Sequence, residues 1–225
     1  MSSLLLLNGS PRGPRSNSMR MLTRIAQGWE AEGGEAPMVL HLSRRADFER
    51  SVTEFGQADC VMLGMPLYTD SMPGLVAEFF EALEPRVGQG DNPRTGFLVQ
   101  SGFSEALHSR YLERYLQKLA RRLGCAYAGT IVRPGGEALQ MMPDEALKKL
   151  FARLETLGRE LARDGAFGAE TLRAVAGVER FSAWQATILS VATKLPIVQQ
   201  YWNGQLKKNG AFERRFAAPY AKAAR

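Results

Sequence analysis

With 225 residues, 45% of them hydrophobic, the chain can bury one full core plus a modest extension and is too short for a second complete domain. Its two cysteines, Cys60 and Cys125, lie far apart inside apolar runs, which excludes a disulfide framework or a metal-spaced cluster and predicts buried free thiols in a reducing cytoplasm. The net charge of +6 sits in residues 194–225, where seven Lys/Arg face Glu213 alone, while residues 1–193 balance 22 basic against 22 acidic side chains; a nucleic-acid enzyme would instead line its site with that charge.

The first predicted element is a buried strand over Leu4-Leu5-Leu6-Leu7, which breaks into Asn8-Gly9-Ser10-Pro11-Arg12-Gly13-Pro14-Arg15-Ser16-Asn17-Ser18. The apolar run is far too short to cross a membrane and has no basic lead, so no export signal is expected. Met19, Leu22, Ile25, Ala26 and Trp29 then recur at helical spacing. The loop thus runs from a strand end to a helix start, where backbone N–H groups lack intrahelical partners and the helix dipole favours an anion. Ser10, Ser16, Asn17 and Ser18 add hydroxyl and amide donors, and Arg12 and Arg15 add charge, a set suited to a phosphate monoester. The plainer alternative stays open at this point: ordinary caps, ordinary turn residues and two solvated arginines.

A second strand, Met38–Leu42, carries His41 as a polar position without a catalytic partner. A helix with Phe48, Val52 and Phe55 follows, and then a central strand, Ala58–Gly64. That strand ends in Met65-Pro66-Leu67-Tyr68-Thr69-Asp70-Ser71-Met72-Pro73-Gly74. Ser71 is the expected cap of the next helix, with Pro73 in its first turn and Val76, Phe79, Phe80 and Leu83 on its apolar face. A fourth strand, Gly96–Gln100, leads to Ser101-Gly102-Phe103. Ser104 is read as capping a helix whose apolar face is Leu107, Tyr111, Tyr115, Leu116 and Leu119, and His108 as an imidazole without a chemical role. The fifth strand, Cys125–Val132, stops at Pro134-Gly135-Gly136, and a long helix opens at Pro143-Asp144-Glu145 and ends at Asp164-Gly165.

Five alternations of short apolar strand and helix indicate an α/β class protein, a doubly wound parallel sheet covered on both faces. In such sheets ligands bind beyond the carboxyl ends of the strands. The loops after strands one, three and four would therefore form one site: a phosphate loop, a Pro-containing turn with Tyr68, and Ser101-Gly102-Phe103. Other nucleotide sites are disfavoured. No Gly-x-Gly-x-x-Gly or Gly-Lys-Ser/Thr follows the first strand, and no Gly-x-Ser-x-Gly elbow occurs. A receiver domain would need acidic residues at strand ends that here are Asn8 and Gly64.

The run Asn8-Gly9-Ser10-Pro11-Arg12 with Ser16-Asn17-Ser18, followed by Pro66-Leu67-Tyr68-Thr69-Asp70-Ser71-Met72-Pro73, resembles the NAD(P)H-dependent FMN reductase branch of the flavodoxin-like superfamily over roughly the first 165 residues. The resemblance implies a five-stranded parallel sheet of order 2-1-3-4-5. It places the FMN phosphate on Ser10, Arg12, Ser16, Asn17 and Ser18. The isoalloxazine would lie against Pro66, Leu67, Tyr68, Thr69 and Asp70 on one side and Ser101, Gly102 and Phe103 on the other. It further implies a hydride taken from NAD(P)H and passed on to a small-molecule acceptor or a protein, in a homodimer, with no catalytic side chain or metal ligand assigned. Asp70 is read as bracing its loop rather than as a general acid. Iron–sulfur flavoproteins differ in carrying a compact cysteine cluster that this chain lacks. The alternative function is a flavodoxin-like FMN-binding electron-transfer module that docks to a partner and has no substrate of its own, which the neutral body and basic tail disfavour.

The expected organisation is a flavin-binding domain over residues 1–168 and a helical, basic extension over 169–225, parts of which resemble C-terminal extensions of some flavodoxin-family reductases. Phe181, Trp184, Ile188, Val191 and Leu195 form one apolar helical face. Pro196 breaks it, and Ile197, Val198, Tyr201, Trp202 and Leu206 resume the pattern. These faces either pack on the sheet domain or a second subunit, or lie on an anionic membrane surface.

Overall fold

A computed structural model describes residues 2–192, 196–218 and 221. Five strands, β1 (Leu4–Asn8), β2 (Met38–His41), β3 (Cys60–Pro66), β4 (Arg94–Gln100) and β5 (Tyr127–Arg133), form one all-parallel sheet in the order β2-β1-β3-β4-β5. Between them run helices α1 (Asn17–Ala31), α2 (Arg45–Phe55), α3 (Gly74–Ala82) and α4 (Arg110–Leu123); α5 (Asp144–Asp164) and α6 (Ala169–Ala176) follow β5.

Strand alternation explains the two layers. Leu4 and Leu6 of β1 join Cys60, Met62 and Leu98 in the core under α1 and α5. Leu5 and Leu7 point the other way, joining Val61, Leu63, Phe97 and Val99 under α2, α3 and α4. Four consecutive leucines therefore serve both faces, as a strand buried on both sides requires. On one face α1 and α5 approach so closely that Gly28 lies against the Glu155 backbone and Gly158 against that of Ile25, leaving no room for a Cβ at either position. On the other, Phe79 stacks edge-on against Phe48 and Phe55 at 6.4 and 6.0 Å. Both cysteines are buried thiols, as expected; burial pushes Cys60 up to about 12 and raises Cys125.

Three local expectations are corrected. α3 begins at Gly74 with Pro73 as its cap residue, because Ser71 exchanges two backbone hydrogen bonds with Tyr68 (2.9 and 3.0 Å) and so belongs to a hairpin. Ser104 caps nothing: a 3₁₀ turn, Ala106–Ser109, intervenes, and α4 starts at Arg110 after Ser109. Within α4 the buried face is Leu112, Leu116, Ala120 and Leu123, three to four residues apart, while Leu107, Tyr111 and Tyr115 are exposed. β3 also runs two residues beyond Gly64, since Met65 and Pro66 pair with Val99 and Gln100.

The chain divides by its contacts into two units, residues 1–180 and 181–225. α6 packs on β5 and α5 within the first unit, where Phe167 and Val175 enter the core. The second unit holds α7 (Ala183–Ala192), α8 (Pro196–Lys208) and a 3₁₀ turn at Phe212–Arg214. α8 begins at Pro196, and Pro at the first helical position needs no N–H partner. The expected positions Leu195, Ile197, Val198 and Tyr201 have side chains outside the described residues.

Candidate functional site

Parallel registers bring the strand ends Asn8, His41, Pro66, Gln100 and Arg133 to one edge of the sheet. The loops that follow them converge there. The first is organised by Asn8, to which the sequence reading gave no role. Its Nδ2 donates to the Gly13 carbonyl at 2.7 Å and lies 3.1 Å from His41 Nδ1. Its Oδ1 accepts from Ser10 N–H at 3.1 Å and from Ser16 Oγ at 3.3 Å. The backbone partners fix the amide orientation, so His41 Nδ1 must be the acceptor and the ring neutral. Burial first, then Arg44, lowers the His41 pKa, with Asp47 opposing. His41 is thus a brace of the loop, which its place on the strand alone did not reveal.

Within this loop Ser10, Ser16, Asn17 and Ser18 are all buried. Ser16 caps α1, accepting from Met19 N–H at 3.1 Å. Asn17 spends its Nδ2 on the Gly136 carbonyl at 2.6 Å. Ser18 Oγ is buried with no hydrogen-bond partner in the structure. The N–H groups of Asn17 and Ser18 occupy the first turn of α1, where helix geometry supplies no acceptor. Arg12 reaches out of the loop to Glu137.

The second loop leaves β3 through Leu67, whose N–H donates to the Gln100 carbonyl at 2.7 Å, and folds into the Tyr68–Ser71 hairpin. Thr69 and Asp70, its central residues, both have positive φ (48° and 62°). That is the turn type hairpins favour, but it is ordinarily occupied by Asn-Gly, and a β-branched residue there is strained. Tyr68 is 45% exposed on the rim.

The third loop places Ser101 in the wall, with its Oγ buried and without a partner. Phe103 is 47% exposed and stacks on His108 at 4.1 Å. A fourth segment, after β5, was not anticipated at the site. Gly136 N–H donates to the Ser101 carbonyl (2.6 Å) and Gly135 N–H to that of Phe103 (2.7 Å), while the Gly136 carbonyl takes Asn17. A Cβ on Gly136 would meet the Gln100 side-chain amide, which would have to shift, while Gly135 takes a positive φ of 68° that glycine adopts without strain. The Gly135-Gly136 pair after a strand end was the available signal.

Together these loops enclose a narrow polar cleft of about 50 Å³, walled by Ser10, Asn17, Pro66, Leu67, Ser101 and Gly102, with Arg12, Tyr68, Gln100 and Glu137 also lining it. Of the expected site residues, Ser16, Ser18, Thr69, Asp70 and Phe103 flank the cleft in sequence rather than line it. The cleft admits a small polar group, whereas a planar ring system would have to lie on the open rim near Tyr68 and Phe103. The buried, partnerless Ser101 hydroxyl, first-turn N–H groups and an arginine fit a phosphate. Among the described residues no cluster of His, Cys, Asp and Glu could hold a metal ion.

No protein-family model and no curated protein sequence matches this chain. Solved structures do. An FMN-dependent NADH-azoreductase from Bacillus anthracis, in complex with FMN, is 15% identical, with a TM-score of 0.55 over 72% of this chain and 100% of that one. An NAD(P)H:quinone oxidoreductase from Methanothermobacter marburgensis is 16% identical, with a TM-score of 0.53 over 72% and 98%. An NADH:FMN oxidoreductase in its apo form is 14% identical, with a TM-score of 0.54 over 82% and 99%. With the strand order β2-β1-β3-β4-β5, these likenesses establish a flavodoxin-like fold.

Proposed function

We propose that this protein is an FMN-dependent oxidoreductase that takes a hydride from NAD(P)H and reduces a second acceptor: a quinone, a nitro compound, a free flavin or a protein. One observation carries the reading. A helix start suited to an anion and the buried, partnerless hydroxyl of Ser101 come together with Ser10, Arg12 and Asn17 around one cleft at the edge of a flavodoxin-like sheet. The neighbours named as FMN-dependent or FMN-reducing enzymes support it.

In this reading Ser10, Arg12 and Asn17, which line the cleft, and the first-turn amides of α1 hold the phosphate, with Ser16 and Ser18 behind them in the same loop. Pro66 to Asp70 and Ser101 to Phe103 flank the ring, with Tyr68 and Phe103 on the rim. FMN, when bound, supplies the hydride- and electron-accepting chemistry. The chain's own task is to orient it, and the rigid hydrogen bonding among Asn8, Ser10, Ser16, Asn17 and Gly136 suits that task. The same reading makes the enzyme a homodimer in the reducing cytoplasm, where Cys60 and Cys125 stay as thiols.

Mixing the purified, FMN-loaded protein with NADPH or NADH tests this directly. Rapid bleaching of the flavin absorbance is expected, followed by recolouring on addition of a quinone. A protein that binds FMN but bleaches with neither nicotinamide is a flavin carrier instead. Sedimentation at 24.9 kDa, the monomer mass, would overturn the dimer.

A further inference from the structure

We infer that the second unit, residues 181–225, is a peripheral anchor that docks the protein on an anionic lipid surface. The inference is independent of the flavin site and rests on two features of this unit considered by itself.

The first is charge. The unit carries seven Lys/Arg against Glu213, so the entire net charge of +6 belongs to it, and residues 1–180 are balanced. The second is what the unit exposes. α7, Ala-Trp-Gln-Ala-Thr-Ile-Leu-Ser-Val-Ala, contains no charged residue, and its Trp184, Ile188 and Val191 are 65%, 57% and 58% exposed. Trp202 of α8 is 67% exposed and Phe216 is 86% exposed. Large apolar side chains concentrated in this way mark an interaction surface rather than scattered surface residues.

Cations and aromatics also sit side by side. Arg215 lies over the rings of Phe212 and Phe216 at 3.9 and 4.7 Å, and Lys207 over Phe212 at 5.0 Å. At a bilayer surface such pairs separate naturally, the ring settling at the acyl boundary and the charge at the phosphates. The ten residues of α7 extend about 15 Å, half the thickness of a hydrocarbon core, so the helix suits lying in the interface. Consistently, no helix among the described residues is long and apolar enough to cross a membrane.

The chemistry selects this occupant over two others. A nucleic acid would engage Lys207, Lys208, Arg214 and Arg215 through its phosphates but leave Ile188, Leu189 and Val191 in water. A second copy would cover the apolar residues but set two units of charge +6 against each other.

Full-length protein mixed with vesicles of pure phosphatidylcholine, or of phosphatidylcholine with about a third phosphatidylglycerol, tests the assignment. Co-sedimentation only with the anionic vesicles is expected, weakened at least about tenfold when salt is raised well above physiological strength. Tryptophan emission should shift to the blue on binding. Trp184 and Trp202 would report this, because Trp29 is already buried in the first unit. Lys207→Glu with Lys208→Glu should lower vesicle affinity at least about tenfold with an unchanged melting curve. Brominated lipid should quench the wild-type emission, a readout that needs no variant. Absence of binding to anionic vesicles overturns the proposal. So does tighter binding to duplex DNA than to vesicles, or a lipid-free dimer in which Trp184 and Trp202 already emit in the blue.

Discussion

Arg12 and Glu137, 125 residues apart in the chain, form a fork of three contacts at 3.2–3.3 Å at the site, with side chains 49% and 54% exposed. Both line the cleft. An exposed pair of this kind contributes less than about 1 kcal/mol to stability, so Arg12 can exchange the carboxylate for a phosphate at small cost.

Two opposite effects on FMN affinity follow. Arg12→Ala with Ser10→Ala should weaken FMN at least tenfold, since charge-assisted hydrogen bonds contribute roughly 1.5–3 kcal/mol each. Glu137→Gln should tighten it about two- to fivefold by removing the competing carboxylate. Riboflavin, which lacks the phosphate, should respond little to either change. Fluorescence titration with both ligands checks this, and equal losses for FMN and riboflavin would remove the phosphate from this loop.

Tyr68 is nearly half exposed beside the cleft, and the proposed function puts it against the flavin ring. Tyr68→Ala should shift the visible flavin spectrum and change its fluorescence at full occupancy. An unaltered spectrum would assign the ring to the hairpin alone.

Thr69 and Asp70 hold the hairpin in a conformation that glycine adopts without strain. Asp70→Gly should therefore stabilise the folded protein by up to about 1 kcal/mol, although glycine's greater freedom when unfolded offsets part of the gain. A chemical denaturation series gives the sign. Strain retained by a functional loop predicts that the more stable variant binds FMN less well or turns over more slowly.

His41 predicts a pH dependence. Its pKa is lowered on folding, chiefly by burial and then by Arg44, and a proton on Nδ1 would also oppose the Asn8 amide. The unfolded chain therefore takes up its proton at higher pH than the folded one. The His41 contribution is fully present above the ordinary value of about 6.5 and is lost as pH falls through the lowered value. Melting temperatures of wild type between pH 8 and pH 5 should decline more steeply than those of His41→Gln. Parallel curves would show that the ring does not stay neutral in the fold.

Much of the architecture is local and so was legible before folding is considered. Leu4 to Leu7, followed closely by Gly9 and Pro11, fit a short strand buried on both faces, and the alternation of five such strands with helices leaves a doubly wound sheet as the economical arrangement. The three Ser/Gly/Pro loops follow at one edge of that sheet, and the concentration of charge after residue 193 is visible by counting.

What the tertiary structure alone decided concerns partners and phase. Asn17 reads as a loop donor in sequence, and the structure adds that its Nδ2 donates one hydrogen bond to Gly136, 119 residues away. Asn8 reads as a strand end and turns out to organise the loop through Gly13, Ser10, Ser16 and His41. Tyr111 and Tyr115 read as core, but the face of α4 that meets the sheet is the one with Leu112, Leu116, Ala120 and Leu123, which leaves both tyrosines in solvent. Periodicity and turn chemistry report the state of each residue's own neighbourhood. Which donor meets which acceptor, and which helix face meets the sheet, depends on strand register and on segments more than a hundred positions away, and those are set only when the layers pack.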